Sequence, residues 1–195
     1  MADEREVTLQ PTLSQTVGPF FHMGLRWLFS DQVAEAGTPG RHITVQGRVL
    51  DGDGVPVPDA LIEVWQADAN GEYPHPAHRQ DKRPTPGFRG YARVPTDDAG
   101  AFRFRTVKPG RVPAPGAGMQ APHISVHVFM RGLLRPLVTR IYFADEIANE
   151  DDLVLGRVPA SRRGSLIASP RPGEVDVFEW NVALQGADET VFFEG

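Results

Sequence analysis

Apolar and polar positions alternate in short runs along most of this chain, and the period is that of a strand rather than a helix. Seven runs are rich in β-branched and aromatic side chains: 42–50 (HITVQGRVL), 60–66 (ALIEVWQ), 101–106 (AFRFRT), 123–129 (HISVHVF), 137–143 (LVTRIYF), 174–184 (EVDVFEWNVAL) and 190–193 (TVFF). Such side chains pack well on a pleated surface. AFRFRT is the plainest case, because its apolar and basic residues alternate, which predicts one buried face and one wet face. Turn signals separate the runs. DGDGVPVPD fills the first gap, and Asp97-Asp98-Ala99-Gly100 precedes AFRFRT; Asp and Gly tolerate positive φ there, while Pro fixes φ. Helix is scarce: 145–155 is expected to hold a short one and 159–167 another, with Pro159 suited to a first helical position.

The expected fold is therefore all-β, an antiparallel β-sandwich with long loops, an N-terminal arm and one or two short helices. Stretches 1–41, 67–96 and 108–122 carry no strand pattern. Loops longer than about 12–15 residues in a compact domain tend to be functional. The chain divides on this reading into an arm, 1–41, that contacts a partner chain, and a sandwich domain, 42–195.

Composition narrows the function classes. Hydrophobic residues at 41% and charged residues at 23% suit a chain that buries a core. A net charge of −5 argues against nucleic acid or an anionic membrane as partner, since both select basic surfaces. The chain has no cysteine, which removes disulfides, thiolate metal sites and a Cys nucleophile. The start, MADEREVTLQ, has no apolar core of a secretory signal, and no run approaches the ~18 apolar residues of a membrane span. A cytoplasmic protein is expected.

Chemistry is sought first among the six histidines and three tyrosines. His123 and His127 share one predicted strand, where positions four apart lie about 13 Å apart, too far for one metal ion with nitrogens at ~2.0–2.1 Å. Only i, i+2 spacing brings two same-face ligands together, and the residue two beyond His123 is Ser125. The strand thus carries His-x-Ser where a metal site needs His-x-His. His22, His42, His75 and His78 lie near loops without a geometric partner. Acidic clusters Asp97-Asp98 and Glu150-Asp151-Asp152 fit turns and helix ends. No G-x-S-x-G elbow, phosphate loop, dinucleotide fingerprint or H-E-x-x-H is present.

Several segments together resemble the intradiol ring-cleaving dioxygenases: PTLSQTVGPF at 11–20, LIEVWQADANGEY at 61–73, RFRTVKPG at 103–110, APHISVHVFMRG at 121–132, TRIYF at 139–143 and ETVFF at 189–193. They cover nearly the whole chain from Thr8 onward. The resemblance implies a β-sandwich and non-haem Fe(III) held by two Tyr and two His. The implied reaction is ring opening by O₂ between hydroxyl-bearing carbons. In the family's catalytic chains the first Tyr follows a W-Q-x-x-x-x-G-x pattern, matched by Tyr73. The second follows K-P-G, which here is Lys108-Pro109-Gly110 followed by Arg111 and Val112. The two His form H-x-H, matched by His123 and Ser125. Two of the four ligand positions, Val112 and Ser125, are therefore lost, and the iron is expected in a partner chain.

The resemblance further implies an iron-free subunit of a hetero-oligomer, lying against the partner's iron site, where protocatechuate (3,4-dihydroxybenzoate) and O₂ meet. It would contribute a loop at the substrate entrance, Thr16, Gly18, Pro19 and Phe20, and a basic residue, Arg131, suited to an anionic benzoate-type substrate. Phe20 offers no hydroxyl. Two other readings stay open. One is a self-sufficient homo-oligomeric dioxygenase using His75, Tyr91 or His127 as ligands; the other is a non-enzymatic sandwich module.

Overall fold

The computed structural model describes residues 11–18, 21, 23–78, 85–116 and 118–194. Eleven strands carry the fold: β1 (His42–Leu50), β2 (Leu61–Gln66), β3 (Tyr91–Pro95), β4 (Ala101–Val107), β5 (Val112–Pro113), β6 (Met119–Gln120), β7 (His123–Phe129), β8 (Leu137–Phe143), β9 (Ile167–Arg171), β10 (Glu174–Glu179) and β11 (Val182–Ala183). The all-β expectation holds. Two layers face each other, β3-β2-β7-β8 and β4-β1-β10, with β11 alongside β1. The layers are joined through β9, whose first residues, Ile167 and Ala168, pair with β8. Its later residues, Ser169 to Arg171, pair with β10.

The pairing corrects the sequence reading in one respect. β1 runs parallel to β10 and β11, and β8 runs parallel to β9, within an otherwise antiparallel arrangement. The single predicted strand 174–184 is two strands, interrupted at Trp180 and Asn181. Apart from helical Phe21 and Met23 on the arm, helical structure among the described residues consists of 3₁₀ turns, including Ile147–Asp151, Leu155–Arg157 and Arg163–Leu166. The expected helix over 159–167 is thus one such turn leading directly into β9. Within 190–193, only Phe193 makes a bridge, to Val138.

Alternation decides which side chains are inside. On β7, Ile124, Val126 and Val128 point into the core, with Ile62 and Val64 of β2 and Ile141 and Phe143 of β8. The opposite layer supplies Val45, Phe104 and Phe178. Phe143 meets Phe178 edge-on across the interface, with ring centroids 5.1 Å apart, a favourable aromatic geometry. Segment 30–34 closes the open side of the sandwich. Ser30 bridges Arg93 of β3, Gln32 bridges Arg105 of β4, and two strand edges are thereby covered. Gly47 is dictated by a neighbour: a Cβ there would lie 1.6 Å from the Trp180 carbonyl oxygen.

The core also holds one fully buried amide. Gln66 Nε2 donates to the carbonyls of Ala67 and Val107, each at 2.9 Å, and its Oε1 accepts from the Thr106 hydroxyl at 2.8 Å. This ties the end of β2 to the end of β4. Gln66→Leu keeps the shape but removes the amide donor of the Ala67 and Val107 carbonyls and leaves the Thr106 hydroxyl only the longer bond to the Val107 carbonyl at 3.3 Å. The expected loss is about 2–3 kcal/mol of unfolding free energy, read by chemical denaturation; a change below 0.5 kcal/mol, on the scale of about what surface substitutions give, would contradict this account of the core.

Candidate functional site

The outward face of β3-β2-β7-β8 carries the side chains that could do chemistry, and strand register arranges them in rows. Directly paired positions place Tyr91, Trp65, Ser125 and Arg140 in one row across the four strands. The neighbouring row is Arg93, Glu63, His127 and Val138, and beyond Ser125 on the other side lie His123 and Tyr142. Residues directly opposite in a ladder share a face and touch. Ser125 and Arg140 are such a pair.

Tyr73 reaches this row from a loop. Asp68 Oδ1 accepts from the backbone N–H groups of Asn70 and Glu72, both at 2.9 Å, and the Thr85 hydroxyl donates to its other oxygen. The turn needs a glycine at Gly71, where φ is +81° and a Cβ would lie 2.0 Å from the Arg111 carbonyl oxygen. Tyr73 then stacks on Trp65, with centroids 5.8 Å apart and planes 9° apart, and His75 meets Trp65 edge-on. The same close approach brings the Lys108-Pro109-Gly110 segment under the turn. Val112, buried at the start of β5, stands opposite Gln120.

Arg140 is the hub of these groups. Its Nη1 donates to Gln120 Oε1 at 2.8 Å and to the Tyr142 hydroxyl oxygen at 3.3 Å. Tyr142 in turn donates to Asp152 Oδ1 at 3.1 Å. Asp152 is buried and also accepts from the N–H groups of Ala121, Val154 and Leu155, so its charge is fully engaged. The ionisations follow. Burial pulls the His123 imidazole down to about 4, and the charge of Arg140 adds to this against the hydrogen bond to the Ala121 carbonyl. Burial pushes the Tyr142 phenol up to about 12, and raises that of Tyr73 against the pull of Arg140.

The four positions read from the sequence lie around the Arg140 guanidinium: Ser125 is opposite it, His123 is opposite its partner Tyr142, Val112 is opposite its partner Gln120, and Tyr73 stacks on Trp65, next in the row. The sequence reading missed Arg140, Gln120, Tyr142 and Asp152. A charged residue in the middle of the apolar run LVTRIYF was the available signal. Among the described residues no three His, Cys, Asp or Glu side chains form a metal-binding group. His75 and Tyr91 lie around Trp65, whereas His127 is exposed in the next row and meets Phe129 edge-on.

A second site lies at the other end of the same face. Val17, Gly18, Phe21, Met23, Asp59, Leu61, Phe129 and Arg131 line a cavity of about 210 Å³. Thr16 fixes its rim, accepting from the Gly132 N–H at 2.7 Å. Phe21 anchors the loop by packing on Phe129 at 5.3 Å and against the Arg93 guanidinium at 5.2 Å. Arg93 itself is held by Glu63, with Nε to Oε1 at 2.6 Å. Thr16, Gly18 and Arg131 are thus brought together; Pro19 and Phe20, and likewise His22, lie outside the described residues. Asp59, paired with Arg131, was not foreseen.

Residues 28–186 match the sequence profile of the dioxygenase family. The chain belongs to the intradiol dioxygenase family. This intradiol-family chain is 45% identical to the protocatechuate 3,4-dioxygenase alpha chain of Burkholderia cepacia, over 96% of this chain and 98% of that one. It is 34% identical to the beta chain of the same organism's enzyme, over 91% of this chain and 77% of that one. Its fold is similar to the dioxygenase domain of a carbohydrate-binding fusion protein from Streptomyces sp. SirexAA-E, with TM-score 0.61, 23% identity and coverage of 95% and 98%.

The buried imidazole gives the site a pH signature. His123 titrates near 6.5 in the unfolded chain and near 4 when folded, so the folded state binds fewer protons. The stability it confers is complete above about pH 6.5 and is lost as pH falls towards 4. The expected loss is roughly 3 kcal/mol, from about 1.4 kcal/mol per unit. Unfolding of native protein and His123→Gln, compared between pH 7 and pH 4, should diverge by that amount; parallel pH profiles would contradict a neutral, buried imidazole.

Proposed function

We propose that this chain is the iron-free alpha subunit of a protocatechuate 3,4-dioxygenase, and that it walls the active site of an iron-bearing beta chain. The observation that carries the proposal is the set of side chains around Arg140. Intradiol chemistry depends on Fe(III), and a ferric ion held by Tyr and His needs four convergent donors. Here Val112 offers no donor, Ser125 offers a neutral hydroxyl, and Arg140 fills the face opposite Ser125 with a fixed positive charge. A unit charge about 5 Å from a trivalent cation costs on the order of 10 kcal/mol at an effective dielectric near 20. The residues present do not fit the metal, and no step of the reaction runs through this cluster.

The contribution of the chain is then at the other end of its face. In the assembled enzyme, 3,4-dihydroxybenzoate is opened by O₂ between its hydroxyl-bearing carbons to 3-carboxy-cis,cis-muconate. The loop that carries Thr16 and Gly18 borders the entrance, and Arg131 attracts and orients the carboxylate of the substrate. Asp59 holds the Arg131 side chain in place while leaving it two-thirds exposed. Apolar side chains on the arm support a partner contact: Leu13 is 86% exposed, Trp27 78% and Met23 53%. Surfaces of that kind are covered in obligate assemblies.

Co-expression with a beta-type chain tests the proposal. The complex is expected to take up oxygen on protocatechuate with about one iron per αβ pair, and the alpha chain alone is expected to be inactive and poorly soluble. Arg131→Gln in the complex should raise KM about tenfold or more with a smaller change in kcat, as loss of a charged contact of about 1.5–3 kcal/mol implies. Stoichiometric ferric iron in the chain purified alone would overturn the reading.

A further inference from the structure

We infer, on the basis of the function proposed above, that Asp59 determines specificity at the Arg131 cavity. Its carboxylate lets a ring with one carboxylate bind and keeps the ring-opened polycarboxylate from being retained. Arg131 and Asp59 are the two charged residues that line this cavity; its other walls, Phe21, Met23, Leu61 and Phe129 among them, are apolar. The ion pair joins Arg131 Nε to Asp59 Oδ2. Among the described residues neither Nη group of Arg131 has a partner, so the end of the guanidinium is open to a ligand carboxylate. Asp59 is the more covered member of the pair, its side chain 29% exposed against 69% for Arg131, and water therefore screens its charge incompletely.

The chemistry of the reaction gives that second charge its importance. Protocatechuate carries one carboxylate. Opening the ring between its hydroxyl-bearing carbons converts each of them into a further carboxylate, so the product carries three. A lone guanidinium attracts an anion in proportion to the anion's charge, and would hold the trianion more tightly than the monoanion it admits. Asp59 removes that preference. With the pair intact this end of the cavity has no net charge. A single carboxylate still gains a short, directional contact with the open end of the guanidinium, while the two added carboxylates find no net attraction and meet the Asp59 charge. The apolar walls act in the same direction, because they match a ring and would desolvate an open polyanionic chain. Orienting the substrate needs Arg131 alone; rejecting the product needs Asp59 beside it.

The complex with an iron-bearing beta-type chain is assayed by oxygen uptake on protocatechuate, with 3-carboxy-cis,cis-muconate and 4-hydroxybenzoate as inhibitors. The ratio of the two inhibition constants is the reading. A shift of the Arg131 guanidinium moves both constants alike, whereas loss of a negative charge acts most on the ligand with three. In the native complex the trianion is expected to bind no more tightly than the monoanion. Asp59→Asn should tighten the product relative to 4-hydroxybenzoate about tenfold, a shift that fades as salt is raised. Asp59→Glu restores the carboxylate and should return the ratio to its native value. A product that binds the native complex about tenfold more tightly than 4-hydroxybenzoate would overturn the inference, and so would an unchanged ratio in Asp59→Asn. Weakening of both inhibitors together, with the ratio kept, would reduce Asp59 to a support for Arg131 and overturn it as well. Absence of oxygen uptake by the native complex would overturn the subunit assignment and this inference with it; uptake with an unaltered ratio overturns the inference alone.

Discussion

The cross-strand register of β2, β7 and β8 governs what the outward face can do. Side chains alternate at a period of two, so a shift of one residue would send His123 and Ser125 into the core and bring Ile124 and Val126 out. The core prevents that shift. Ile124, Val126, Ile62, Val64, Ile141 and Phe143 are all fully buried, and exposing such a set costs on the order of 10 kcal/mol at 1.5–3 kcal/mol per side chain. The packing of one face therefore fixes the rows on the other. Arg140 lies opposite Ser125 because Ile141 lies opposite Ile124.

This constraint explains why the positions that the resemblance assigns to ligands do not form a weak metal site here. Removing a tyrosine and a histidine from four positions on a rigid face would leave a hole lined by two donors. Instead the row is filled by a guanidinium that is bonded to Gln120 and Tyr142, and Tyr142 is bonded to the saturated Asp152. The network runs from β6 through β8 to the 3₁₀ turns after it. It stabilises a cation where the resemblance to the family implies a metal, and the neutral state of His123 follows from the same burial and charge.

Much of the fold was legible because strand alternation is a local property. The runs that became β1, β4, β7 and β8 declared themselves, and His-x-Ser on one strand was enough to cast doubt on a metal centre. What was not legible depends on partners far apart in sequence. β3 reads YARVP and β9 reads IASPR; each contains a proline and an arginine, and each exists because a neighbouring strand supplies its ladder. The parallel pairings of β1 with β10 and β11 are likewise invisible in any local pattern. Arg140 and Asp59 were missed for the same reason. An arginine in a strand signifies nothing until register sets it opposite a serine, and an aspartate in a turn signifies nothing until the chain returns 72 residues later with Arg131.

The two ends of the outward face also separate two tasks. Ser125 and Arg131 are six residues apart on and just beyond β7, about 20 Å at the rise of an extended strand. A benzoate is far shorter than that. A molecule oriented by Arg131 therefore cannot reach Arg140. The Arg131 end is open to whatever docks against the arm, where Leu13, Trp27 and Met23 are uncovered. The geometry that misfits a metal at Arg140 thus leaves the Arg131 end free for the substrate-orienting role proposed above, and it does so without any rearrangement of the core.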